Sequence, residues 1–341
     1  MTAPGLEKQT FSSTQTPIRV LFCCDPGYFQ HLAAALFSLV ENNQAHSLEI
    51  HLITSRRDAE LEQRLSATIE DFKNAQLKIH GFEWGQDARW HTSHHITRDT
   101  YLRLFAAEVL PETLDKILYL DADLLVLGDL GPLWEIDLSE YTLAAAREPF
   151  QSTRLEALGL PSNAPYVNAG VLLLNLARWR STEALKRLSD YIEQEGDRLE
   201  FHDQDAINAV LKGEIKVIDY RWNVPARLWR LPRGEVTLDP EAVKRAMRSP
   251  AILHYTTMRK PWLFVMPTPH KGLYWRYLHR TPWKGAAPVD RRWSNLCERV
   301  VNYAFYIFRV NYTWDRVLRR TTIGRILVRT EVLIRGAAPR H

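Results

Sequence analysis

Residues 116–127 read Lys-Ile-Leu-Tyr-Leu-Asp-Ala-Asp-Leu-Leu-Val-Leu. This near-continuous apolar run has the look of a central strand buried on both faces, interrupted by two carboxylates, Asp121 and Asp123. In an extended segment residues i and i+2 point to the same side, so the pair is expected to project together at the carboxyl end of strand 116–120. Ligands of open α/β sheets bind at that edge. Two neighbouring carboxylates with nothing basic beside them in sequence repel, and a cation between them relieves the repulsion. Hard oxygen ligands suit Mg²⁺ or Mn²⁺. An Asp-x-Asp also serves as ordinary strand-end turn chemistry, so the pair alone does not separate the two readings.

Working outward, 18–24 is a short apolar, β-rich run that ends in Asp25-Pro-Gly, a strand and its turn. Leu32, Ala35, Leu36 and Leu39 recur at helical spacing within 31–41. Further strands are expected at 48–54, 78–82, 142–147, 167–175 and 215–218. Helices are expected at 58–72, 97–110 (stopped by Pro111), 181–194 and 203–211. Residues 221–275 read as irregular structure around one strand, 251–255. Alternating strands and helices with short connections predict an open α/β sheet built from βαβ units, mostly parallel.

The chain has 341 residues, 45% hydrophobic and 25% charged, with a formal net charge of +4. That mix is globular and neither disordered nor fibrous. Cys23 and Cys24 are adjacent and Cys297 is distant, which offers no disulfide framework or zinc spacing and suits a reducing, cytoplasmic setting. No secretory signal and no bilayer-length apolar run is visible. The positive charge is concentrated: residues 276–341 hold 14 Lys and Arg against 4 Asp and Glu, so the remainder is net acidic. The organisation read from this is a frayed terminus (1–16), a catalytic domain (17–275) and a basic, aromatic-rich helical tail (276–341).

The segment 117–126, with Leu133-Trp134 downstream, resembles the core of the family-8 glycosyltransferases, retaining enzymes with a nucleotide-sugar donor. It is most similar to bacterial galactosyl- and glucosyltransferases of lipopolysaccharide cores. Further blocks follow in the family's order: Phe22-Cys-Cys-Asp25-Pro-Gly-Tyr28, Thr100-Tyr-Leu-Arg103-Leu, Tyr166-Val-Asn168-Ala-Gly170, Phe201-His-Asp203-Gln204-Asp205, and Ile252-Leu-His254-Tyr with Lys260-Pro-Trp262. The resemblance spans about residues 18–265. It implies the Rossmann-like nucleotide-diphospho-sugar transferase fold (GT-A type) and a hexose, galactose or glucose, moved from a UDP-sugar to a saccharide or glycolipid acceptor such as a lipopolysaccharide core. Pro26-Gly27 replaces the Asp or Asn of many relatives. Thr256 and Thr257 stand where relatives carry a small residue and Gly, which puts phosphate or acceptor contacts of that loop in question.

Residue by residue, the resemblance implies metal ligands Asp121, Asp123 and His254, an oxygen-rich set with one imidazole that favours Mn²⁺ over Mg²⁺. It implies nucleotide contacts from Cys23, Asp25, Tyr28 and Lys260, and donor-sugar contacts from Arg103, Glu148, Asn168, Gly170, Asp203 and Gln204. Asp203 and Gln204 are the catalytic candidates, Gln204 beside the anomeric carbon, and His95 is an acceptor-side candidate. Each residue has a plainer reading: Asp25 and Asp203 as helix caps, Tyr28 as a core aromatic, Arg103 paired with Asp99 one turn away, Asn168 and Gly170 in a bulge. His254 alone would be structural and Lys260 alone a surface charge. Negative charge develops on the leaving phosphate, and a cation with Lys260 offsets it. No enzymatic nucleophile is placed as in two-carboxylate glycosidases. The expectation is therefore front-face attack by the acceptor hydroxyl, its proton passing to the departing phosphate oxygen.

In the tail, Arg292, Asn295, Arg299, Asn302, Tyr306 and Arg309 share one helical face, while Trp293, Leu296, Val300, Ala304, Ile307 and Phe308 share another. A second basic cluster runs from Arg316 to Arg329. Packing on the catalytic domain competes with attachment to an anionic bilayer, for which Trp and Arg are suited. The favoured expectation is a cytoplasmic enzyme peripheral on the inner face of the membrane. No nucleic-acid motif accompanies the charge. The rival from another class is a silent sugar-nucleotide-binding scaffold, and a phosphatase using Asp121 as nucleophile is disfavoured by Leu125.

Overall fold

The computed structural model describes residues 16–85, 98–149, 152–230, 238–256 and 258–310. The expected frayed terminus up to Gln15, His95, Thr257 and the second basic cluster of the tail lie outside these residues. Seven strands form the main sheet, in the order β3-β2-β1-β4-β7-β6-β8. They are β1 (Ile18–Cys23), β2 (Leu48–Thr54), β3 (Ala75–Gly81), β4 (Lys116–Leu120), β6 (Leu143–Arg147), β7 (Val167–Asn175) and β8 (Ile215–Ile218). Only β7 runs against its neighbours, β4 and β6. The other pairs are parallel. The mixed, mostly parallel α/β sheet expected from the sequence is therefore present.

Helices cover both faces because the strands are apolar on both sides. The helix Phe29–Glu41 buries almost its whole length on one face. The segments Arg98–Val109, Leu176–Ser181, Ala184–Glu195 and His202–Val210 fill the other. Strand order reverses between β1 and β4, and such a switch point opens a crevice at the carboxyl ends of the two strands. Cys23 and Asp121 sit there.

One expectation is corrected in an informative way. The run 116–127 is not a single strand: β4 ends at Leu120, residues 121–123 turn, and β5 (Leu124–Val126) enters a second sheet. That sheet has the order β5-β10-β9, with β9 (Val224–Pro225) and β10 (Ile252–His254). Keeping Asp121 and Asp123 inside an apolar ladder would bury two unpaired charges, which is costly. The break turns them toward groups that can pair with them. The carboxylates therefore meet through a turn and not through the alternation of one strand.

Other differences have local causes. The expected helix 97–110 is a 3-10 helix, Arg98–Phe105, followed by one α-turn, Ala106–Val109. The helix expected over 58–72 ends at Ser66, and the strand expected at 78–82 begins earlier, at Ala75. The stretch 221–275, read as irregular, contains the helix Pro240–Arg248. Asp239 caps it by accepting from Glu241 N at 3.0 Å, and Pro stands in its first turn. That cap-plus-proline signal was available in the sequence. The helix Lys271–Leu278 runs across residue 275 and packs on the helix Phe29–Glu41: His31 Nδ1 lies 2.7 Å from Tyr274 Oη, and Asn42 Nδ2 donates to Tyr277 Oη at 3.1 Å.

The helix His202–Val210 is anchored by Asp205, which is fully buried. Its carboxylate pairs with Arg154 and accepts from Tyr166 Oη at 2.5 Å and Phe201 N at 2.9 Å. Removing one member of a buried pair leaves the other charge uncompensated, at a cost of about 3–5 kcal/mol. Asp205→Ala is accordingly expected to lower unfolding free energy by about that amount, read as a shifted urea midpoint.

Candidate functional site

Three elements converge at the switch point. The end of β4 delivers Asp121, whose N–H donates to Gly170 O on β7 at 2.9 Å. In the small sheet, β10 pairs antiparallel with β5 so that His254 stands opposite Leu124, and Tyr255 N donates to Asp123 O at 3.0 Å. His254 Nε2 consequently lies 3.1 Å from Asp123 Oδ1 and 3.4 Å from Asp121 Oδ2. One donor atom from each of Asp121, Asp123 and His254 falls within 4.8 Å of the others. Among the described residues this is the one such group of three or more acidic, His or Cys side chains.

The donor set fits a divalent cation. Two hard carboxylates and an imidazole are an Mg²⁺ or Mn²⁺ type of set, and the backbone leaves room for it. A Cβ on Gly170 would lie 2.2 Å from His254 Cε1 and 2.6 Å from Asp121 Oδ2, so only glycine lets these side chains close over β7. Asn223 Oδ1 lies 2.9 Å from His254 Nδ1 and orients the ring, the outer-shell support typical of metal-ligating histidines. Asn223 in turn donates to Asn168 Oδ1 at 2.8 Å.

The electrostatics are those of a tightly paired site. Burial opposes charge on His254, but Asp123 and Asp121 outweigh it and push its pKa up to about 9. Burial also opposes the Asp123 carboxylate, yet Lys260 and His254 hold it well below the usual range. Lys260 Nζ pairs with Asp123 and donates to Tyr255 O at 2.9 Å. Asp121 is likewise held low, by Arg103 and His254 against burial, and accepts from Tyr119 Oη at 2.6 Å.

Arg103 is buried and bridges two acids. Its Nη1 lies 3.0 Å from Asp121 Oδ1 and its Nε 3.0 Å from Asp203 Oδ2. The guanidinium also stacks 4.5 Å over the Tyr119 ring and donates to Ala169 O at 2.6 Å. Asp99, expected one turn away as its plainer partner, accepts instead from Ser55 Oγ at 2.9 Å. The Arg103 Nε–H is aimed at Thr100 O, 2.9 Å away. Asp203 Oδ2 is thus left buried with no hydrogen-bond donor among the described residues. Burial pushes the Asp203 pKa up to about 6, with Arg103 pulling against the shift and Asp121 adding to it. Next to it, His202 holds a left-handed backbone (φ 45°), strain of the kind that gathers at functional sites.

Gln204 is held at both ends of its amide: Oε1 accepts from Ala169 N at 3.1 Å, and Nε2 donates to Tyr166 Oη at 3.1 Å. Glu148 accepts from Asn168 Nδ2 at 2.8 Å and pairs with Arg227 at 2.6 Å. At the end of β1, Asp25 caps the turn Pro26–Tyr28 by accepting from Gly27 N at 2.6 Å. Tyr28 packs edge-on against His31 and Trp262, whose rings stack at 3.6 Å. Cys23 is buried beside Arg103 and Asp121, and burial raises its thiol pKa strongly. Thr256 Oγ1 is buried without a hydrogen-bond partner among the described residues.

The structure thus gathers Asp121, Asp123, His254, Lys260, Arg103, Asp203, Gly170 and Asn168 around one point. Tyr166, Asn223 and Asp205 carry supporting bonds that sequence reasoning gave no role. Local spacing does not mark the bonds of Tyr166 and Asn223, because their partners lie 31 or more residues away.

Comparison with known proteins agrees with this geometry. The profile of glycosyl transferase family 8 matches residues 19–265. The chain is 27% identical over 273 residues to general stress protein A of Bacillus subtilis, covering 78% of this chain and 94% of that protein. It is 26% identical over 285 residues to a lipopolysaccharide 1,2-glucosyltransferase of Escherichia coli, covering 82% and 83%. In three dimensions it is similar to the galactosyltransferase LgtC solved with donor and acceptor sugar analogs, with a TM-score of 0.70 and 25% identity, over 82% of this chain and all of that one. With the family's match running from β1 through β10 and the paired acids at the switch point, the chain belongs to glycosyl transferase family 8 and is a glycosyltransferase.

Proposed function

We propose that this enzyme transfers a hexose, galactose or glucose, from a UDP-sugar to a saccharide or glycolipid acceptor with retention of configuration. The observation that carries this reading is the convergence of Asp121, Asp123 and His254 beside the Arg103–Asp203 pair. Asp121, Asp123 and His254 would hold Mn²⁺ or Mg²⁺, which supplies positive charge against the departing diphosphate. The glucosyl- and galactosyltransferase relatives support the choice of hexose and of a lipopolysaccharide-type acceptor.

Lys260, whose ammonium already sits beside Asp123, binds the diphosphate oxygens. Cys23, Asp25 and Tyr28 line the end of β1 for the nucleotide. Asp203 Oδ2, ion-paired with Arg103 but accepting no hydrogen bond among the described residues, accepts from a donor-sugar hydroxyl, and a site built to bond that hydroxyl rejects sugars lacking it strongly. Arg103 keeps this carboxylate in place, and Glu148, Asn168 and Gly170 complete the sugar pocket. Gln204 lines the face of the sugar away from the leaving group. Both ends of its amide are engaged by Ala169 and Tyr166, which disfavours it as a nucleophile. The acceptor hydroxyl therefore attacks from the same face as the leaving group, and its proton passes to the departing phosphate oxygen. Single-turnover mass spectrometry is expected to find no sugar adduct on Gln204 or Asp203; an adduct on either would replace this route with a double displacement.

Release of UDP from a panel of UDP-sugars, with Mn²⁺ or with chelator, tests the whole reading. Turnover is expected for one hexose donor with metal and to vanish with chelator. Activity should also fall with a single-proton slope below about pH 6, where Asp203 becomes neutral. The charged form is the working form, so the loss lies on the acid side. In Asp203→Asn that acid limb should disappear from a much-reduced profile.

Residues 276–292 belong in part to the core, through Tyr277, Leu278 and Trp283; the basic tail from Trp293 onward we assign to peripheral contact with an anionic membrane on the cytoplasmic side. No helix among the described residues is long and apolar enough to cross a membrane. The helix Leu296–Val310 exposes Leu296 and Val300, and Trp293 just before it is 91% exposed. Sedimentation with anionic vesicles, lost on truncation after residue 292, which spares the buried Tyr277, Leu278 and Trp283, is the expected result if Trp and Arg anchor there.

A further inference from the structure

The segment that follows Lys260 is held by a region the transferase chemistry leaves unused. Trp275 Nε1 donates to Pro261 O at 3.1 Å, and Val289 N to Trp262 O at 3.1 Å. Lys271 Nζ donates to Leu263 O and, at 3.2 Å, to Met266 O. Beside these contacts lies a cavity of about 340 Å³, lined by Lys271, Trp275, His279, Arg291 and Arg299 together with the turn 286–288.

Its charge is one-sided. Two guanidinium groups, the Lys271 amine and an imidazole line the space, and none of the four forms an ion pair with a carboxylate among the described residues. The nearby acid, Asp290, is committed elsewhere: its carboxylate accepts from Phe264 N and, at 3.3 Å, from Val265 N. Arg299 is pre-positioned, its guanidinium 4.1 Å over the Phe264 ring and 5.1 Å over that of Tyr303. His279 packs on Trp275 at 5.4 Å. Burial, with a smaller push from Arg299, lowers the Lys271 pKa to about 8, against the opposing pull of Asp290. Like charges held together without a counterion are destabilising unless an anion joins them.

We infer that this cavity is a phosphate-binding site separate from the donor site, formed by Lys271, His279, Arg291 and Arg299. Guanidinium groups bind phosphate oxygens in a bidentate way, and Lys adds a point charge. The phosphate belongs either to a lipid headgroup or to a soluble phosphorylated molecule. The exposed Val289 and Trp293 on either side of Arg291 are where acyl chains would meet the protein in the first case. The inference does not rest on the sugar-transfer reading.

Thermal melting of the full chain in inorganic phosphate, against chloride at matched ionic strength, is the test. Phosphate is expected to raise the midpoint saturably. Arg291→Gln with Arg299→Gln should weaken the apparent affinity by about tenfold or more, the scale of losing charge-assisted hydrogen bonds. Asp123→Ala should keep it, which separates this cavity from the diphosphate site. Should the double variant fail to melt cooperatively, Arg291→Gln alone, at an exposed residue, carries the comparison with an expected loss of several-fold. Phosphatidylglycerol vesicles that displace phosphate, where phosphatidylcholine vesicles do not, assign the lipid source; phosphate binding untouched by either assigns a soluble one. A phosphate effect no larger than that of chloride, or equal in wild type and the pocket variants, overturns the inference.

Discussion

Asp123→Ala is expected to lower sugar transfer by about 10³-fold, a loss in the range seen when a main electrostatic stabiliser of a transition state is removed. Asp123 carries two interactions at once. Its Oδ1 faces His254 Nε2 at 3.1 Å, and its Oδ2 pairs with Lys260. Without it, a cation at this site would lose a ligand, and Lys260 would lose the carboxylate it pairs with. The fold should survive, because residue 123 lies in the turn between two sheets and its backbone bond to Tyr255 N needs no side chain. The measurement is UDP release at saturating donor with Mn²⁺, alongside Mn²⁺ affinity by calorimetry. A variant with full activity, or one that loses activity yet binds Mn²⁺ as tightly as wild type, would contradict the ligand assignment.

The second large effect comes from a residue with no side chain. Gly170→Ala is expected to lower transfer by about 10²-fold or more, the loss that follows when a catalytic group is displaced by about 1 Å. The new Cβ would stand 2.2 Å from His254 Cε1 and 2.8 Å from its Nδ1. The ring has no easy retreat: it is 3% exposed, with Asn223 on one nitrogen and the two carboxylates on the other. The strand itself cannot move without breaking the Asp121 N to Gly170 O bond. Metal affinity and turnover should therefore fall together, with a lowered melting temperature from overpacking. Wild-type Mn²⁺ affinity in Gly170→Ala would show that the ligands can close without this glycine.

Much of the architecture was readable from local pattern. The apolar runs at 18–24, 48–54 and 167–175 became strands because both their faces are covered. The Asp-x-Asp pair marked the right sheet edge even though the strand argument behind it was incomplete. The helix Pro240–Arg248 was missed where a short cap signal stood among scattered Pro and Trp. Arg103 illustrates the other kind of miss. One turn of helix suggests Asp99 as its partner, but the ends of β4 and the helix His202–Val210 bring Asp121 and Asp203 closer.

By itself the sequence determined the alternation of strand and helix, the mostly parallel sheet and the carboxylates at its edge, since these depend on periodicity over a few residues. Only the tertiary structure decided that Asp123 and His254, 131 residues apart, share one point. The register of β10 on β5 sets that meeting, and register is a property of two segments packed together. The same holds for the clearance at Gly170, the pairing of Arg103 with Asp203 and the clustering of Lys271, Arg291 and Arg299. Each is a statement about which surfaces face one another, and a chain read one residue at a time carries no distance between its distant parts.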